Sequence, residues 1–417
     1  MKKVVVLLML LVISFAYAEV FIINSMSETV SKINLEDGSV DNVFCSTGSM
    51  PNKLDFWDEK MYVVNSGDNS LGIFSIEDGT CEGEIFIEDS ANPYNLLIVE
   101  NFAYVSGALT NKLYKIDLQA EAVENELVVG NNPSGIYEFN SKLYVGNTDY
   151  SNGYIGSSIS VIDIATFTID ATIETSMNPQ YITSFNEMIF VSCGGNWTDV
   201  FGEINVINPE TNSVVEEMTI GGNPSNFAYF LENFYLGDAM GTGIYAFNPM
   251  SYEVLYDASN PLIPGAQLVA SNSENLFTLK GFWGSNFVLR VYDETLNEIS
   301  QYEVGLGGTD LKIYEGSNSN EDEIVEAVCN CYNYPNPFNP TTTITYSIIE
   351  DSFVSIDVFN IKGRKVVKLV DEQLTSGEHS VVWNGKDENG DSVGSGVYFY
   401  KIKSKDTTIT KRMVLLK

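Results

Sequence analysis

After residue 18, apolar and polar residues alternate with a period of two through most of the chain. Such alternation turns one side of an extended segment to a core and the other to water, so it predicts β-strands. No apolar stripe at helical spacing is long enough to predict a long helix. Between residues 20 and 316 the strands recur as a unit: a strand with a central aromatic, a polar loop, a second strand ending in Asp or Asn, a turn, and a third strand. The aromatic strands are led by Phe21, Tyr62, Tyr104, Tyr144, Phe190, Tyr235 and Phe277. The strands that follow carry Ile33-Asn34, Ile116-Asp117, Ile162-Asp163, Ile207-Asn208 and Phe247-Asn248. Pro51, Pro93, Pro133, Pro179 and Pro224 close most units, at spacings of 42, 40, 46 and 45 residues.

A period near forty with several short strands per unit is the signature of a β-propeller. A four-stranded sheet cannot cover both of its faces alone, and stacking between two neighbours around a ring does so. Each leading aromatic is therefore expected where neighbouring sheets pack. The pattern counts seven units. Residues 20–24 already read as a second strand, so the innermost strand of that sheet is expected from 311–315, after the seventh unit. The two ends of the repeat region would then pair and leave no open sheet edge. The pattern resembles the YVTN-type seven-bladed propellers, most clearly at 62–65 and 144–147. That resemblance implies a scaffold over residues 19–316 and no particular reaction.

Residues 317–333, with Ser-Asn-Ser-Asn and Glu-Asp-Glu runs, read as a polar linker. From Tyr334 the character changes, and six or seven short strands with turn residues between them predict a small β-sandwich. Tyr334-Pro335-Asn336-Pro337-Phe338 opens this segment, a Gly377-Glu-His run leads to Trp383, and Lys411-Arg412-Met413-Val414 lies near its end. These blocks, in this order, resemble the type A C-terminal sorting domain of the type IX secretion system. The resemblance implies an immunoglobulin-like fold over 334–417, a Gram-negative source, the type IX machinery as a partner, and secretion or display at the outer-membrane surface. Within it, 387–391 matches part of a calcium loop but lacks the later acidic ligand, so a hairpin turn is expected there. No cofactor is expected; Ca²⁺ is the one ion the pattern brings to mind.

Residues 1–18 add an export signal: Lys2 and Lys3, an apolar run over 4–15, and the small-x-small site Ala16-Tyr17-Ala18. No later stretch is apolar and long enough to span a bilayer. Charge is uneven. Residues 334–417 hold 11 basic and 10 acidic side chains, whereas 19–333 hold 9 basic and 46 acidic, a net of −37. Such a field repels nucleic acid and anionic membrane, so neither is expected as a partner. The five cysteines are odd in number and show no CxxC or zinc spacing; an exported chain permits disulfides, Cys45 and Cys81 fall at different heights on neighbouring repeats and are not expected to pair, and Cys329 and Cys331 could pair with each other or with another chain.

The only histidine, His379, lies in the tail, which removes Ser-His-Asp, Cys-His and histidine–metal chemistry from the repeat region. Carboxylates are too plentiful to single out a pair. The expected topology places the loops after each aromatic strand on one face, together with the connections between sheets. Three of these loops are rich in aromatic and amide residues: Asp149, Tyr150 and Tyr154; Asn196, Trp197 and Asp199; Phe282 and Trp283. Such residues suit stacking on a sugar or anchoring a peptide or protein. Three classes stay open: a protein that binds an extracellular glycan, peptide or protein; a carboxylate-based lyase or hydrolase acting on polysaccharide; and a structural surface component.

Overall fold

The computed structural model describes residues 18–282, 284–315, 328–335, 338–348, 351–360, 364–404 and 407–416. Residues 1–17 of the export signal expected at 1–18, most of the expected linker, Trp283, Asn336 and Pro337 lie outside these residues. The chain divides into two units, Met1–Ser317 and Asn318–Lys417. Among the described residues the sole helical element is the three-residue 3₁₀ turn Tyr150–Asn152, and no helix is long and apolar enough to cross a membrane.

Among the described residues the first unit has seven antiparallel sheets, each with a continuous four-strand path. In the second sheet the strands Pro51–Trp57, Lys60–Asn65, Ser70–Ser75 and Cys81–Phe86 run in chain order from inside to outside. Inner strands of the following sheets begin at Pro93, Pro133, Pro179 and Pro224. Proline is tolerated as the first residue of a strand because its missing N–H breaks no ladder bond there. The first sheet draws from both ends of the unit: Gly308–Glu315 pairs with Ala18–Asn24, with Leu311 opposite Ile22. The inner strand of the first sheet is thus the last strand of the repeat region, as the sequence predicted.

Each leading aromatic belongs to a different apolar cluster, and each cluster joins two neighbouring sheets. Phe21 packs with Leu54 and Val63, Tyr62 with Val105, and Tyr104 with Val145. Tyr144 packs with Val191, Phe190 with Phe247, and Tyr235 with Val269. Phe277 packs with Val20 and returns the series to the first sheet. All seven aromatics are at least 96% buried, and each contributes roughly 1.5–3 kcal/mol by that burial. The series closes on itself, which is a propeller-like arrangement. The outer strands carry exposed carboxylates, among them Asp41, Glu84, Glu126, Asp170, Glu217 and Glu303, which deter pairing with a strand of another molecule.

The second unit has two sheets around one core. Val328–Tyr334, Thr342–Ile348 and Gly377–Trp383 form one. Lys365–Leu374, Ser352–Asn360, Gly396–Ser404 and Thr407–Leu415 form the other. Ile344, Tyr346, Val354, Ile356, Trp383 and Tyr400 fill the space between them. One boundary differs from the sequence reading: 328–333, expected as linker, forms most of a strand that pairs with Thr342–Ile348. The segment 328–333 has no clean apolar–polar alternation and follows an acidic run, so it reads as linker by composition, and its pairing with Thr342–Ile348 is what makes it a strand. Residues 387–391 form the expected turn, with Asp387 Oδ1 accepting the N–H groups of Asn389 and Asp391 at 2.9 Å each.

Candidate functional site

The loops after the second strands lie beside the connections between sheets. Backbone bonds tie the two together: Ser66 N–H to Met50 O at 3.1 Å, Ala108 N–H to Asn92 O at 3.1 Å, Thr148 N–H to Asn132 O at 3.2 Å, and Gly194 N–H to Asn178 O at 2.9 Å. They therefore share one face, and the residue following each proline opens onto the same place. Asn52, Tyr94, Ser134, Gln180 and Ser225, each directly after a proline, all line a cavity of about 180 Å³ between the inner strands. A second cavity of about 170 Å³ shares Tyr94, Ser134 and Gln180 with it and opens under the loop at 148–157.

Tyr150 and Tyr154 line this mouth cavity. Asp149 does not present itself to it. Asp149 adopts a left-handed conformation, φ 54°, and is 1% exposed. Its carboxylate accepts from Asn131 Nδ2 at 2.9 Å, Gly156 N–H at 2.7 Å and Asn152 Nδ2 at 3.4 Å. Burial raises its pKa, but these donors outweigh it and hold the group below the ordinary value. Asp149 is thus the strut that shapes the loop carrying the two tyrosines. Asn196 plays the same part in the next loop, its Oδ1 accepting from Thr198, Asp199 and Val200 N–H at 3.1, 3.1 and 2.9 Å. Asp199 accepts from Asn196 Nδ2 at 2.7 Å, and its pKa is lowered by the bonds from Asn196 and Thr198.

Trp197 and Phe282 stand away from the cavities, 47% and 73% exposed. With Leu109, Ile155, Phe201 and Met240 they make an apolar rim on the loop face. The opposite face is different: its turns carry exposed carboxylate pairs such as Glu36-Asp37, Asp58-Glu59 and Glu77-Asp78. Exposed apolar and aromatic groups are concentrated at one end of the unit, which also bears the acids Glu28, Asp68, Asp89 and Asp199, and paired carboxylates mark the turns of the other end.

Sequence reasoning missed the inner-strand residues Tyr94, Ser134, Gln180, Tyr181 and Lys53. The repeated proline, with a polar or aromatic residue after it, is the signal that would have found most of them. Deeper in, Lys53 Nζ bonds Asp310 Oδ1 at 2.7 Å, with side chains only 14% and 6% exposed, and sits 5.2 Å from the Tyr181 ring centre. Burial lowers the lysine pKa, but Asp310, then Tyr181, more than offset this and raise it, so Lys53 stays a cation. Tyr94 is 40% exposed, open to the cavity, and desolvation by the surrounding wall, helped by Tyr181 and opposed by Lys53, pushes its phenol up to about 12. It is a neutral donor and acceptor at physiological pH. The thiol of Cys45 is pushed up to about 12 by burial, and that of Cys193 is raised well above its usual value. Neither is a nucleophile.

In the second unit, the two ends of the tail motif meet. Phe338 N–H donates to Val414 O, and Leu416 N–H donates to Phe338 O, both at 2.9 Å. The Phe338 ring packs 5.5 Å from Trp383 beside fully buried Met413. Pro335 is exposed and Lys411 and Val414 are half-buried. Arg412 and Tyr334 are described only as strand positions.

No curated protein matched the sequence. Similar solved structures include hydrazine synthase of Kuenenia stuttgartiensis, 15% identical with a TM-score of 0.50 over 62% of this chain and 93% of that one. A chain of the mitotic checkpoint complex is 12% identical with a TM-score of 0.53, over 69% of this chain and 84% of that one. Virginiamycin B lyase from Staphylococcus aureus is 14% identical with a TM-score of 0.50, over 62% and 87%. At such identities the likeness concerns fold alone, and it supports the propeller-like arrangement. Residues 333–416 match the family of secretion system C-terminal sorting domains. The chain therefore carries a type IX sorting tail, and its destination is the cell surface or the extracellular space.

Proposed function

We propose that this chain is a secreted or surface-displayed seven-bladed β-propeller of the YVTN type that binds a ligand through its loop face. An immunoglobulin-like tail and an N-terminal export signal serve its delivery. The observation that carries the reading is the contrast between faces. Exposed aromatic and apolar side chains and two joined cavities occupy one end, and carboxylate-bearing turns occupy the other. Exposed aromatics around a pocket are typical anchors for a glycan, a peptide or a protein partner. A carboxylate enzyme is the weaker reading: no acid lines the inner cavity, and Asp310, next to the lining residue Thr309, is committed to Lys53 Nζ and to Leu54 N–H at 3.0 Å.

The test is a glycan and peptide array probed with the full chain and with the Trp197→Ala and Phe282→Ala variants. Binding weakened roughly two- to tenfold or more, at an unchanged melting temperature, is the expected result. Equal binding by both variants, or turnover that depends on a propeller carboxylate, would overturn the reading.

A further inference from the structure

The mouth cavity separates into a frame and a set of free groups. The frame is self-satisfied. Asn132 Nδ2 donates to Ala108 O at 2.8 Å, and its Oδ1 accepts from Ser151 N–H at 3.1 Å. Asn178 Nδ2 donates to Gly195 O at 3.2 Å, and its Oδ1 accepts from Gln180 Nε2 at 3.1 Å. Thr148 Oγ1 donates to Asn132 O at 3.0 Å. Tyr94, Tyr150, Tyr154, Ser134 and Gln180 line the same cavity, and among the described residues their hydroxyls and Gln180 Oε1 have no protein hydrogen-bond partner.

Those free groups have one chemistry. A hydroxyl both donates and accepts, and so does each hydroxyl of a sugar. The tyrosine rings supply flat apolar surface for the C–H face of a pyranose. No charged side chain lines the mouth cavity, and the nearest acid, Asp149, is buried with its carboxylate occupied. An anion would enter against the field of a domain whose residues 19–316 hold 9 basic and 42 acidic side chains, a net of −33. A cation would find ring faces but no carboxylate in the wall.

Resting on the loop-face reading, we propose that the mouth cavity is a subsite for an uncharged sugar residue of a saccharide. Its apolar face lies on the tyrosine rings and its hydroxyls bond Tyr94, Ser134 and Gln180. Because the last three also line the inner cavity, the residue enters end-on and the remaining chain extends outward along the loop face.

Calorimetric titration of the full chain with cello-, xylo-, manno- and malto-oligosaccharides tests this, with oligogalacturonate as the anionic and oligoglucosamine as the cationic comparison. At least one neutral oligomer is expected to bind, with an affinity insensitive to salt. Tyr150→Ala should weaken it roughly two- to tenfold, and Tyr94→Phe, which keeps the ring, about three- to tenfold. Both variants should melt as the wild type does. Binding of neutral oligomers that ignores both substitutions would overturn the site. If only a charged oligomer binds, and Tyr150→Ala weakens it, the sugar class is overturned while the loop face stands. If nothing in the panel binds, the class is also overturned, and the loop face is judged by the rim variants alone.

Discussion

Asp163 sits where the third strand of the fourth sheet gives way to a turn, and its Oδ1 accepts the N–H and hydroxyl of Thr166 at 2.8 and 2.9 Å. Asn34, Asp117, Asn208, Asn248 and Asp293 likewise accept backbone N–H groups of the equivalent turns, from the residue two positions on. This is why the sequence repeats Asp or Asn there: either short side chain caps the turn, and only one of them titrates. Bonds from the Thr166 backbone and then its side chain lower the Asp163 pKa below the ordinary 3.8. A depressed folded value means that its stabilisation is whole above the unfolded pKa and disappears as pH falls through the folded one. Asp163→Asn should therefore leave urea stability unchanged at neutral pH and make it fall less steeply below about pH 4. Taking the difference from wild type cancels the relief of repulsion that acid brings to every carboxylate. Parallel curves for the two proteins would refute the argument. Asp149 shows the limit of such reading. In the sequence it is an acid among aromatics and passes for a ligand, and only the left-handed turn and three inward donors reveal a strut.

The strand Gly308–Glu315 closes the ring, and Asp310 is its clasp. Beyond Lys53 and Leu54 of the second sheet, the same strand sends Lys312 to Asp55 at 3.2 Å, and Asp55 in turn accepts Ile98 N–H of the third sheet at 3.0 Å. Asp310→Ala would strand a buried ammonium and an unpaired N–H, at a cost of about 3–5 kcal/mol. The double variant Lys53→Met, Asp310→Leu should recover most of that loss, since a buried pair is often replaceable by apolar groups. Denaturant midpoints of the four proteins of this cycle decide it, and a loss below about 1 kcal/mol for Asp310→Ala would remove the clasp. The closing strand itself was legible, because residues 20–24 read as a second strand lacking an inner neighbour. So were the aromatics, which repeat at one position. Residues facing the cavities were less so. Asn52, Tyr94, Ser134, Gln180 and Ser225 share a position and a capacity for hydrogen bonding but not a size or shape, and a channel wall imposes no common side chain as a core does.

Across the whole chain, charge is divided between the units. Of the nine basic residues in 19–333, eight are held in ion pairs: Lys32, Lys53, Lys60, Lys112, Lys115, Lys142, Arg290 and Lys312. Only nine of the 42 acids in 19–315 meet one of these cations in an ion pair, so most of the acidic excess is left without a basic partner among the described residues. Few of the pairs are buried, and exposed pairs contribute about 0–1 kcal/mol each. Mutual repulsion among the remaining carboxylates should then outweigh what salt takes away from the pairs. The Debye length shrinks from roughly 20 Å to about 4 Å as monovalent salt rises from about 0.02 to about 0.5 M, which screens that repulsion. The tail, with 11 basic and 10 acidic residues in 334–417, has no such excess. Calorimetry of the full chain should show the propeller-like unit melting higher in salt and the tail unit barely moving. If the larger transition fell with salt instead, the ion pairs would dominate the electrostatics of the first unit, and its acidic excess would carry no cost in stability.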